Sequence, residues 1–246
     1  MKKLASASVI SVKPLSPACI LLTVETGDTA GIAAGQFASI SIPGVYLRRP
    51  FSVHDADGAV LSFLVKLAGK GTRALAGLRP ADKISIIYPL GRGFQLSAKP
   101  AVLVGGGAGM APLLLLAKQL QNRGIRPTVV LGGRTGSDIV RLAEFARYAE
   151  IKITTEDGSL GVQGLVTGEL KALSADTAVY ACGPEPMLKA LHGLAQIKKF
   201  SLQLSLEALM GCGLGACLCC VTDTRTDGRV CVCTEGPVFR AEDLPW

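Results

Sequence analysis

Cysteine is the residue type whose spacing most directly suggests chemistry in this chain. Two of the eight cysteines, Cys19 and Cys182, are isolated, and the others crowd together near the C-terminus, at Cys212, Cys217, Cys219, Cys220, Cys231 and Cys233. The spacing Cys212-x4-Cys217-x2-Cys220 is that of the plant-type [2Fe–2S] loop, which a more distant fourth cysteine completes. Gly213 and Gly215 would let such a loop turn its amide groups toward bridging sulfides. The pattern predicts an iron–sulfur cluster.

Disulfides and zinc are the two alternatives for these cysteines. Disulfides are typical of small secreted chains, whereas here Lys13, Pro14 and Pro17 interrupt the apolar stretch that an export signal needs. A structural zinc site usually takes two C-x2-C pairs; Cys217 and Cys220 form one, but Cys231 and Cys233 are too close together to form the other. Because six cysteines are present for four ligand positions, Cys219 and Cys231 are expected not to bind the cluster.

A glycine-rich loop at residues 105–112 is the second candidate site. It lies between an apolar run at 101–104 and a helical pattern, where backbone amides and a helix dipole can receive a pyrophosphate. The loop departs from G-x-G-x-x-G because Met110 occupies the last glycine position, and the next strand ends on Gly132-Gly133-Arg134 instead of an acidic residue for the ribose. A dinucleotide site is predicted, with a tight strand–helix turn as the alternative. Arg134 is suited to a 2′-phosphate, which would favour NADP.

Two segments in the first third of the chain also carry phosphate-binding chemistry. In residues 47–52, an arginine guanidinium can bind a phosphate through two parallel hydrogen bonds. The Ser52 hydroxyl lies three residues after Arg49 along the predicted strand. Residues 69–72, Gly-Lys-Gly-Thr, offer free amides for a second phosphate contact. Taken alone, each segment also fits a solvated loop.

The elements that must position these residues fall into three zones. Residues 1–97 contain evenly spaced strand patterns at 7–12, 19–24, 37–42, 60–65 and 83–88, with an exit turn at 89–93, which predicts an antiparallel β-barrel. Residues 98–205 alternate apolar strands (101–104, 128–131, 151–154, 177–182) with helices (111–121, 139–149, 186–197), which predicts a parallel-sheet α/β domain. Residues 206–246 lose this periodicity and are rich in glycine and cysteine, which predicts a small segment that needs an inorganic cross-link to fold.

Composition narrows the class of protein. Hydrophobic residues make up 49% and charged residues 18%, which excludes intrinsic disorder. The longest apolar run, Met110–Ala117, is far too short for a membrane span, so a cytoplasmic protein with no membrane association is expected. The net charge of +7 invites a nucleic-acid interpretation, but the basic residues are scattered and only 5% of residues are aromatic. Polyanionic cofactors explain the charge equally well, and no nucleic-acid partner is expected.

Taken in order, the motifs resemble those of the ferredoxin–NADP reductase superfamily, a flavin-binding barrel followed by a nicotinamide-binding domain. They are Arg-Pro-Phe-Ser (49–52), Gly-Lys-Gly-Thr (69–72), Pro-Leu-Gly-x-Gly-Phe (89–94), Gly-Gly-Gly-x-Gly-x-Ala-Pro-Leu (105–113) and Cys-Gly-Pro (182–184). Residues 210–220 and 233–239 narrow the resemblance to the electron-transfer subunits of NAD-dependent dihydroorotate dehydrogenases. The resemblance covers essentially the whole chain.

The resemblance implies an FAD site and an NAD site. Arg49 would contact the FAD pyrophosphate and Ser52 the isoalloxazine ring, with further contacts from Pro50, Phe51, Leu64, Val65, Lys66, Gly71 and Thr72. The NAD site would be formed by Gly107, Gly109, Gly183 and Pro184. Cys182 would lie beside the nicotinamide and is the catalytic candidate, although a small apolar role at a strand end is the alternative. His54 is expected to border the flavin without a chemical role, and His192 to lie on a helix surface.

The same resemblance assigns the cluster ligands. Cys212, Cys217 and Cys220 would bind iron, and Cys233 is preferred over Cys231 because it directly precedes the family's x-[Asp/Glu]-Gly-Pro-Val-Phe tail. Two departures stand out: the interval from Cys220 to Cys233 is shorter than expected of relatives, and Cys219 is unusual. They leave the fourth ligand open without changing the prediction of a cluster.

The implied function is electron transfer in pyrimidine biosynthesis. Dihydroorotate would be oxidised at an FMN on a separate catalytic subunit, and electrons would reach NAD+ through the [2Fe–2S] cluster and FAD of this chain. The expected assembly is a heterotetramer with two copies of each subunit. The alternatives are a reductase subunit of a hydrogenase or of a ferredoxin–NADP transhydrogenase, in which aspartate tends to replace the first cluster cysteine, and a zinc-bearing nucleic-acid-binding protein, suggested by the pI of about 9.1.

Overall fold

The computed structural model describes residues 2–246, which form two seven-stranded sheets, a separate two-stranded hairpin and four α-helices. The longest helix has 14 residues, and no helix in this part of the chain is long and apolar enough to cross a bilayer.

The first sheet is antiparallel and occupies the N-terminal part of the chain. Its strands are β1 (Lys3–Ser16), β2 (Cys19–Glu25), β3 (Phe37–Ile40), β4 (Arg49–Ser52), β5 (Asp55–Asp57), β6 (Val60–Lys66) and β7 (Lys83–Leu90), in the order β4-β3-β7-β1-β2-β6-β5. Alternation places one face of each strand in the core: in β7, Ile84, Ile86, Tyr88 and Leu90 are buried and the residues between them are more exposed. A short helix, α1 (Lys70–Ala76), connects β6 to β7.

The second sheet is built from parallel strands with helices between them. Its elements are β8 (Ala101–Gly106), α2 (Leu113–Gln121), β9 (Thr128–Gly133), α3 (Leu142–Tyr148), β10 (Glu150–Thr155), β11 (Val162–Gln163), β12 (Ala178–Cys182), α4 (Glu185–Lys198) and β13 (Ser201–Ser205). The order β11-β10-β9-β8-β12-β13 shows that the chain runs outward from β8 and then returns to its other side at β12. A crevice at such a reversal point is where ligands bind in this class of sheet. The two sheets in succession confirm the predicted fold class.

The C-terminal segment joins the second sheet instead of standing apart. After β13 the chain passes through the cysteine loop and a hairpin of β14 (Val221–Thr224) and β15 (Gly228–Cys231), and then returns as β16 (Val238–Arg240). Strand β16 pairs antiparallel with β13, and Val232, Phe239 and Leu244 pack in the same core cluster as Leu204. This strand was not predicted, because three residues are too few to show a period of two.

Several predicted element boundaries differ from those observed. Residues 69–72 begin a helix instead of an open loop, and β7 extends through Leu90 into the predicted exit turn. Helix α3 begins three residues later than predicted because Arg141 has φ of +66°, which a right-handed helix does not contain. The predicted boundaries at 97/98 and 205/206 fall between β7 and β8 and directly after β13; that they delimit folding units stays a prediction.

Helix α2 joins the two sheets. Lys118 of the helix forms an ion pair with Asp55 of β5 at 2.7 Å. The Gln119 side chain accepts a hydrogen bond from the Ala34 amide at 3.0 Å and donates one to the Ile32 carbonyl at 2.8 Å. The first sheet and α2 share one continuous hydrophobic core, so the helix is held by packing as well as by these polar contacts.

Candidate functional site

A cavity of about 520 Å³ lies where the predicted FAD phosphates would bind. Its walls come from the loop before β4 and from the start of α1, at Gly44, Val45, Tyr46, Arg49, Ala68, Gly69, Lys70, Gly71 and Thr72. The first N–H groups of a helix have no partner within the helix, so α1 presents donors here. The Thr72 hydroxyl accepts hydrogen bonds from the Ala68 and Gly69 amides, at 2.9 and 3.1 Å, and thereby shapes the turn before the helix. Cavity size, donors and cationic side chains fit a pyrophosphate group.

The two neighbouring arginines have different roles. Arg48 donates hydrogen bonds to the Ser39 and Ser85 carbonyls and to the Ser85 hydroxyl, at 2.7–3.2 Å, so its guanidinium ties strands together. Arg49 contacts only main-chain carbonyls of its own loop, at Leu47 and Arg48, and lines the cavity. The structure thus leaves the Arg49 guanidinium available to an anionic ligand, and its predicted contact with the FAD pyrophosphate stays a prediction.

The other predicted flavin residues lie on two strands of the first sheet. Arg49–Ser52 form β4, which pairs with β3 so that Pro50 faces Ser39 and Ser52 faces Phe37. Leu64, Val65 and Lys66 end β6; Leu64 and Lys66 line a small gap next to the glycine loop, whereas the Val65 side chain is wholly buried. Val65 therefore has only its main chain to offer a ligand.

A second cavity, of about 510 Å³, opens at the carboxyl ends of the parallel strands. Its lining includes Lys66, Gly106, Gly107, Gly132, Gly133, Arg134, Asp138, Thr154, Glu156, Val166, Pro184 and Met187. The site residues Gly107 and Pro184 are part of this wall. Thr154, Glu156 and Met187 were not singled out from the sequence because they belong to no motif; their position at strand or helix ends facing β8 would have been the available signal.

Backbone geometry explains two glycines of this site, one through close packing and the other through a positive φ. A Cβ atom at Gly109 would lie 2.1 Å from the Cys182 carbonyl oxygen, so only glycine allows the loop to approach the end of β12. Gly107 has φ of +52° and no heavy atom within 4 Å of a Cβ position, and thus gives the cavity an open backbone surface. Both features fit a nucleotide phosphate drawn close to the main chain.

Cys182 lies behind this surface. It pairs with Gly105 across β8 and β12 and its side chain is buried. Burial raises the pKa of the Cys182 thiol to about 12, with the nearby Glu207 carboxylate adding to the effect. The group is therefore a neutral thiol at physiological pH, and its predicted place beside the nicotinamide stays a prediction.

The first turn of the cysteine loop points amides at sulfur. The Leu214 amide lies 3.3 Å from the Cys212 Sγ atom, and the Cys212 amide lies 3.4 Å from the Cys217 Sγ atom. Hydrogen bonds from the amides of Leu214, Cys217 and Ala216 lower the pKa of Cys212 to about 6. A thiol that ionises this readily is suited to bind iron, because the thiolate is the metal ligand.

The hairpin of β14 and β15 brings the later cysteines to this loop. Val221 pairs with Cys231, the Val232 amide donates to the Cys220 carbonyl at 2.9 Å, and the Cys233 amide lies 3.4 Å from the Cys220 Sγ atom. This closure explains how the short interval between Cys220 and Cys233 still returns the chain to the first ligands.

Both candidates for the fourth ligand lie near the others. Burial, followed by the neighbouring Cys220 sulfur, raises the pKa of Cys233 to about 12. The pKa of Cys231 is also raised, by burial first and then by the nearby sulfurs of Cys220, Cys217 and Cys212. No group of three potential ligands within residues 2–246 has the mutual spacing of a formed metal site, so the donor set is identified by residue type and proximity. Three thiols on a glycine-containing loop, with a fourth beside Cys220, are the donors that an iron–sulfur cluster requires.

The three sites are adjacent. A Cβ atom at Gly213 in the cysteine loop would lie 3.8 Å from Ser39 of β3, and Ser39 pairs directly with Pro50 of β4. Two residues after the end of β4, His54 contacts Ala111 of the glycine loop. The flavin-site strand therefore lies between the cysteine loop and the nucleotide cavity.

The two histidines are both structural in their immediate contacts. His192 was predicted to lie on a helix surface, which is wrong: it is buried, its Nε2 atom lies 3.0 Å from the Ala241 carbonyl, and Trp246 packs edge-on against it. The C-terminal residues that cover α4 are distant in sequence, so the helix pattern alone did not show this. His54 is wholly buried between the first sheet and α2.

Two protein-family models match the chain. Residues 103–193 match the oxidoreductase NAD-binding domain, and residues 207–245 match the iron–sulfur cluster binding domain of dihydroorotate dehydrogenase B. The first match contains the glycine loop and the second contains all six clustered cysteines. The predicted cluster and nicotinamide nucleotide agree with these matches.

Among solved structures, a chain of an NADH-dependent reduced ferredoxin–NADP oxidoreductase superposes with a TM-score of 0.87 and 26% identity, covering 98% of this chain and 90% of that one. The flavohem-like FAD/NAD-binding domain of the Vibrio cholerae nitric oxide dioxygenase has a TM-score of 0.72 at 16% identity, covering 81% and 97%. The second likeness shows the shared fold alone.

Curated relatives extend over most of the chain. The electron transfer subunit of dihydroorotate dehydrogenase B (NAD(+)) from Geobacillus thermodenitrificans is 43% identical over 223 residues, which is 85% of this chain and 86% of that protein. The corresponding subunit from Listeria monocytogenes serovar 1/2a is 36% identical over 233 residues, covering 90% and 91%. The predicted oxidoreductase subunit, and its resemblance to this group, are thereby confirmed. The chain belongs to the family of electron transfer subunits of dihydroorotate dehydrogenase B.

Proposed function

We propose that this chain carries electrons from the FMN of a dihydroorotate dehydrogenase catalytic subunit to NAD+, in the cytoplasm and within a heterotetramer of two copies of each subunit. The single observation that carries the proposal is the adjacency of the three sites. The cysteine loop packs on Ser39, Ser39 pairs with the flavin-site strand, and that strand leads into the contact with the nucleotide loop.

The cofactor set follows from this order of sites. An iron–sulfur cluster passes single electrons and NAD+ accepts a hydride, and a flavin such as FAD converts between the two. Cys212, Cys217, Cys220 and Cys233 would hold the cluster, and Arg49 with the start of α1 would hold the FAD pyrophosphate. Gly107, Gly109, Gly183 and Pro184 would shape the nucleotide site, with Cys182 behind its floor.

The exposed surface around the cysteine loop supports docking of the catalytic subunit there. Large apolar side chains are exposed at Leu209, Leu214, Leu218 and Val221, with exposed fractions of 86%, 43%, 65% and 41%. An apolar patch of this kind is typical of a protein–protein interface. A partner that covers it would lie against the cysteines, which keeps the path for single electrons short.

The nucleotide cavity favours NAD over NADP. Glu156 follows β10 and lines the cavity, and its carboxylate would repel a 2′-phosphate, whereas it can accept a hydrogen bond from a ribose hydroxyl. Arg134 lines the same wall and can contact the pyrophosphate instead. Comparing kcat/KM for the two nucleotides tests this preference.

Reconstitution tests the function itself. The chain loaded with FAD and iron is mixed with an FMN-containing dihydroorotate dehydrogenase catalytic subunit, and NADH formation from dihydroorotate is followed. Activity is expected only when both proteins are present, and a Cys220→Ser variant in the same mixture is expected to be inactive. No activity with a fully loaded protein would contradict the proposal.

The same assay separates the nearest rival. Replacing the catalytic subunit and dihydroorotate by reduced ferredoxin tests the reductase function of the structurally similar oxidoreductase. NADPH formation from reduced ferredoxin and NADP+, without NADH formation from dihydroorotate, would assign the chain to that rival function.

A further inference from the structure

His54 occupies an unusual position between the flavin-site strand and the nucleotide loop. It lies two residues after Ser52, its amide donates to the Ser62 carbonyl of β6 at 2.9 Å, and none of its surface is exposed. The first sheet therefore holds its main chain firmly, while its side chain and carbonyl point out of that sheet toward α2.

Both outward groups enter the start of α2. The His54 Nδ1 atom lies 2.7 Å from the Ala111 carbonyl oxygen, so Nδ1 must carry the proton because a carbonyl only accepts. The His54 carbonyl accepts a hydrogen bond from the Leu115 amide at 3.1 Å. Leu115 is the third residue of α2, so its amide has no acceptor within the helix. His54 thus provides the acceptor for the Leu115 amide and the donor for the Ala111 carbonyl just before the helix.

The two contacts of His54 with Ala111 and Leu115 lie between two binding sites. Ala111 directly follows the turn Gly107–Met110, whose first residue, Gly107, lines the nucleotide cavity. That turn has little room to move, because Gly109 packs against the Cys182 carbonyl. A residue that holds Ala111 therefore sets where the glycine loop stands relative to β4.

The imidazole is neutral in this environment. Burial lowers the pKa of His54 to about 4, and the nearby Arg141 guanidinium lowers it further, whereas the Ala111 carbonyl, Asp55 and Glu144 act in the opposite direction. The hydrogen bond to Ala111 is thus present throughout the physiological pH range, as a fixed contact and not as a switch.

We propose that His54 is a positioning residue for hydride transfer: it fixes the nucleotide loop in register with the flavin-site strand. The proposal rests on the proposed function, since it requires FAD in the first cavity and NAD(H) in the second. The other ties between α2 and the first sheet, from Lys118 to Asp55 and from Gln119 to Ile32 and Ala34, act further along the helix and away from the loop.

The test compares three variants of the FAD- and iron-loaded protein. His54→Leu removes the donor to Ala111 and fills the buried position with an apolar side chain of similar size. His54→Asn keeps a donor near the Nδ1 position. Lys118→Met breaks an α2–sheet contact away from the loop and is the matched control for general loosening.

Reduction of the flavin by NADH is measured by anaerobic stopped-flow absorbance, together with the NADH dissociation constant. For His54→Leu the hydride-transfer rate is expected to fall about ten-fold or more, because small misplacements of reacting groups are costly. NADH affinity should change far less, and the long-wavelength absorbance of NAD+ stacked on reduced flavin should weaken. His54→Asn should restore most of the rate, and Lys118→Met should lower the melting temperature without this split between rate and affinity.

Each result decides the proposal. A wild-type rate in His54→Leu, or equal losses in His54→Leu and Lys118→Met at equal loss of stability, would overturn it. If His54→Leu cannot be purified, His54→Gln, whose donor lies one bond further out, should be slower than His54→Asn; equal rates would overturn the proposal. Wild-type protein that binds FAD but is not reduced by NADH would instead contradict the proposed function.

Discussion

The nucleotide-binding sheet and the cysteine segment both gather distant residues into a site, but they do so by different forces. Every residue of β8 and β12 is buried, and the cavity forms where these packed strands end. The cysteine segment exposes Leu209 and Leu218, and its fixed points are the residues that reach the core, such as Cys220, Cys233 and Phe239. The comparison teaches that apolar burial preforms the first site, whereas metal ligation must complete the second.

The largest test of this difference is removal of one cluster ligand. In Cys220→Ser, iron and acid-labile sulfide should be lost and dihydroorotate-dependent NAD+ reduction should fall by about 100-fold or more. Changing a residue that only hydrogen-bonds to a metal ligand already costs about 10- to 100-fold, and removing the ligand itself costs more. FAD content should remain, since the first sheet folds by burial. Cys219→Ser is the control and should keep its iron; retention of full activity in Cys220→Ser would contradict the ligand assignment.

The fourth ligand sharpens the comparison within the segment. Cys233→Ser should lose the cluster, measured by visible absorbance and iron content, because Cys233 is buried next to Cys220. Cys231→Ser should retain it. The opposite result would show that Cys231, which lies near three other sulfurs, is the ligand.

In the nucleotide sheet, a single methyl group should have a large effect. Gly109→Ala places a Cβ atom against the Cys182 carbonyl and should destabilise the protein by about 3 kcal/mol while weakening NADH binding. Gly107→Ala is the matched control: it strains a positive φ but meets no atom, and should cost only about 1 kcal/mol. Thermal unfolding compares the two variants, and equal losses of stability would show that packing does not preform this cavity. NADH titration measures the loss of binding in Gly109→Ala.

In the flavin cavity, one guanidinium should separate binding from stability. Arg49→Ala should weaken FAD binding by about 2 kcal/mol, or roughly thirty-fold in Kd, by removing a charged hydrogen-bond donor. Arg48→Ala should instead lower the melting temperature, because Arg48 ties β3 to β7 through Ser39 and Ser85. FAD titration by fluorescence distinguishes them, and an unchanged Kd in Arg49→Ala would remove Arg49 from the site.

The smallest expected effect is acid sensitivity of the packed region. The pKa of His54 is about 4 in the folded chain, below its ordinary value of 6.5, so the unfolded state takes up the proton more readily. The stability contributed by neutral His54 is complete about one pH unit above 6.5 and declines as the pH falls toward 4, by about 1.4 kcal/mol near pH 5.5. Chemical unfolding of wild type and His54→Asn should diverge below pH 6.5; parallel curves would contradict this origin.

The sequence predicted the parts of the molecule that have a local pattern. Alternating strands and helices gave the parallel sheet because buried strands such as β8 and β12 are continuous apolar runs. The cysteine spacing and the glycine loop could be identified because their chemistry dictates residue types. The different roles of Arg48 and Arg49 could be assigned only from the structure, because two adjacent arginines look alike in sequence and differ only in the contacts of their guanidinium groups.

The parts that escaped prediction depend on contacts between distant residues. His192 is buried by the C-terminal residues near Ala241 and Trp246, which its own helix pattern cannot show. Strand β16 exists because β13 offers a free edge, and His54 acts on a helix that begins 59 residues later, at Leu113. Tertiary packing, not local preference, places these residues.

Because β13 pairs with β16, the cysteine segment between them begins and ends at the same position on the edge of the sheet. Ser205 and Val238 lie directly opposite each other on the two strands, and the next residues are joined by a hydrogen bond from the Leu206 amide to the Pro237 carbonyl at 2.9 Å, so the chain leaves and returns at one point. A short turn joining Ser205 to Val238 would preserve the pairing of β13 with β16. The cysteine segment can therefore be removed or replaced by protein engineering at this point without rebuilding the sheet.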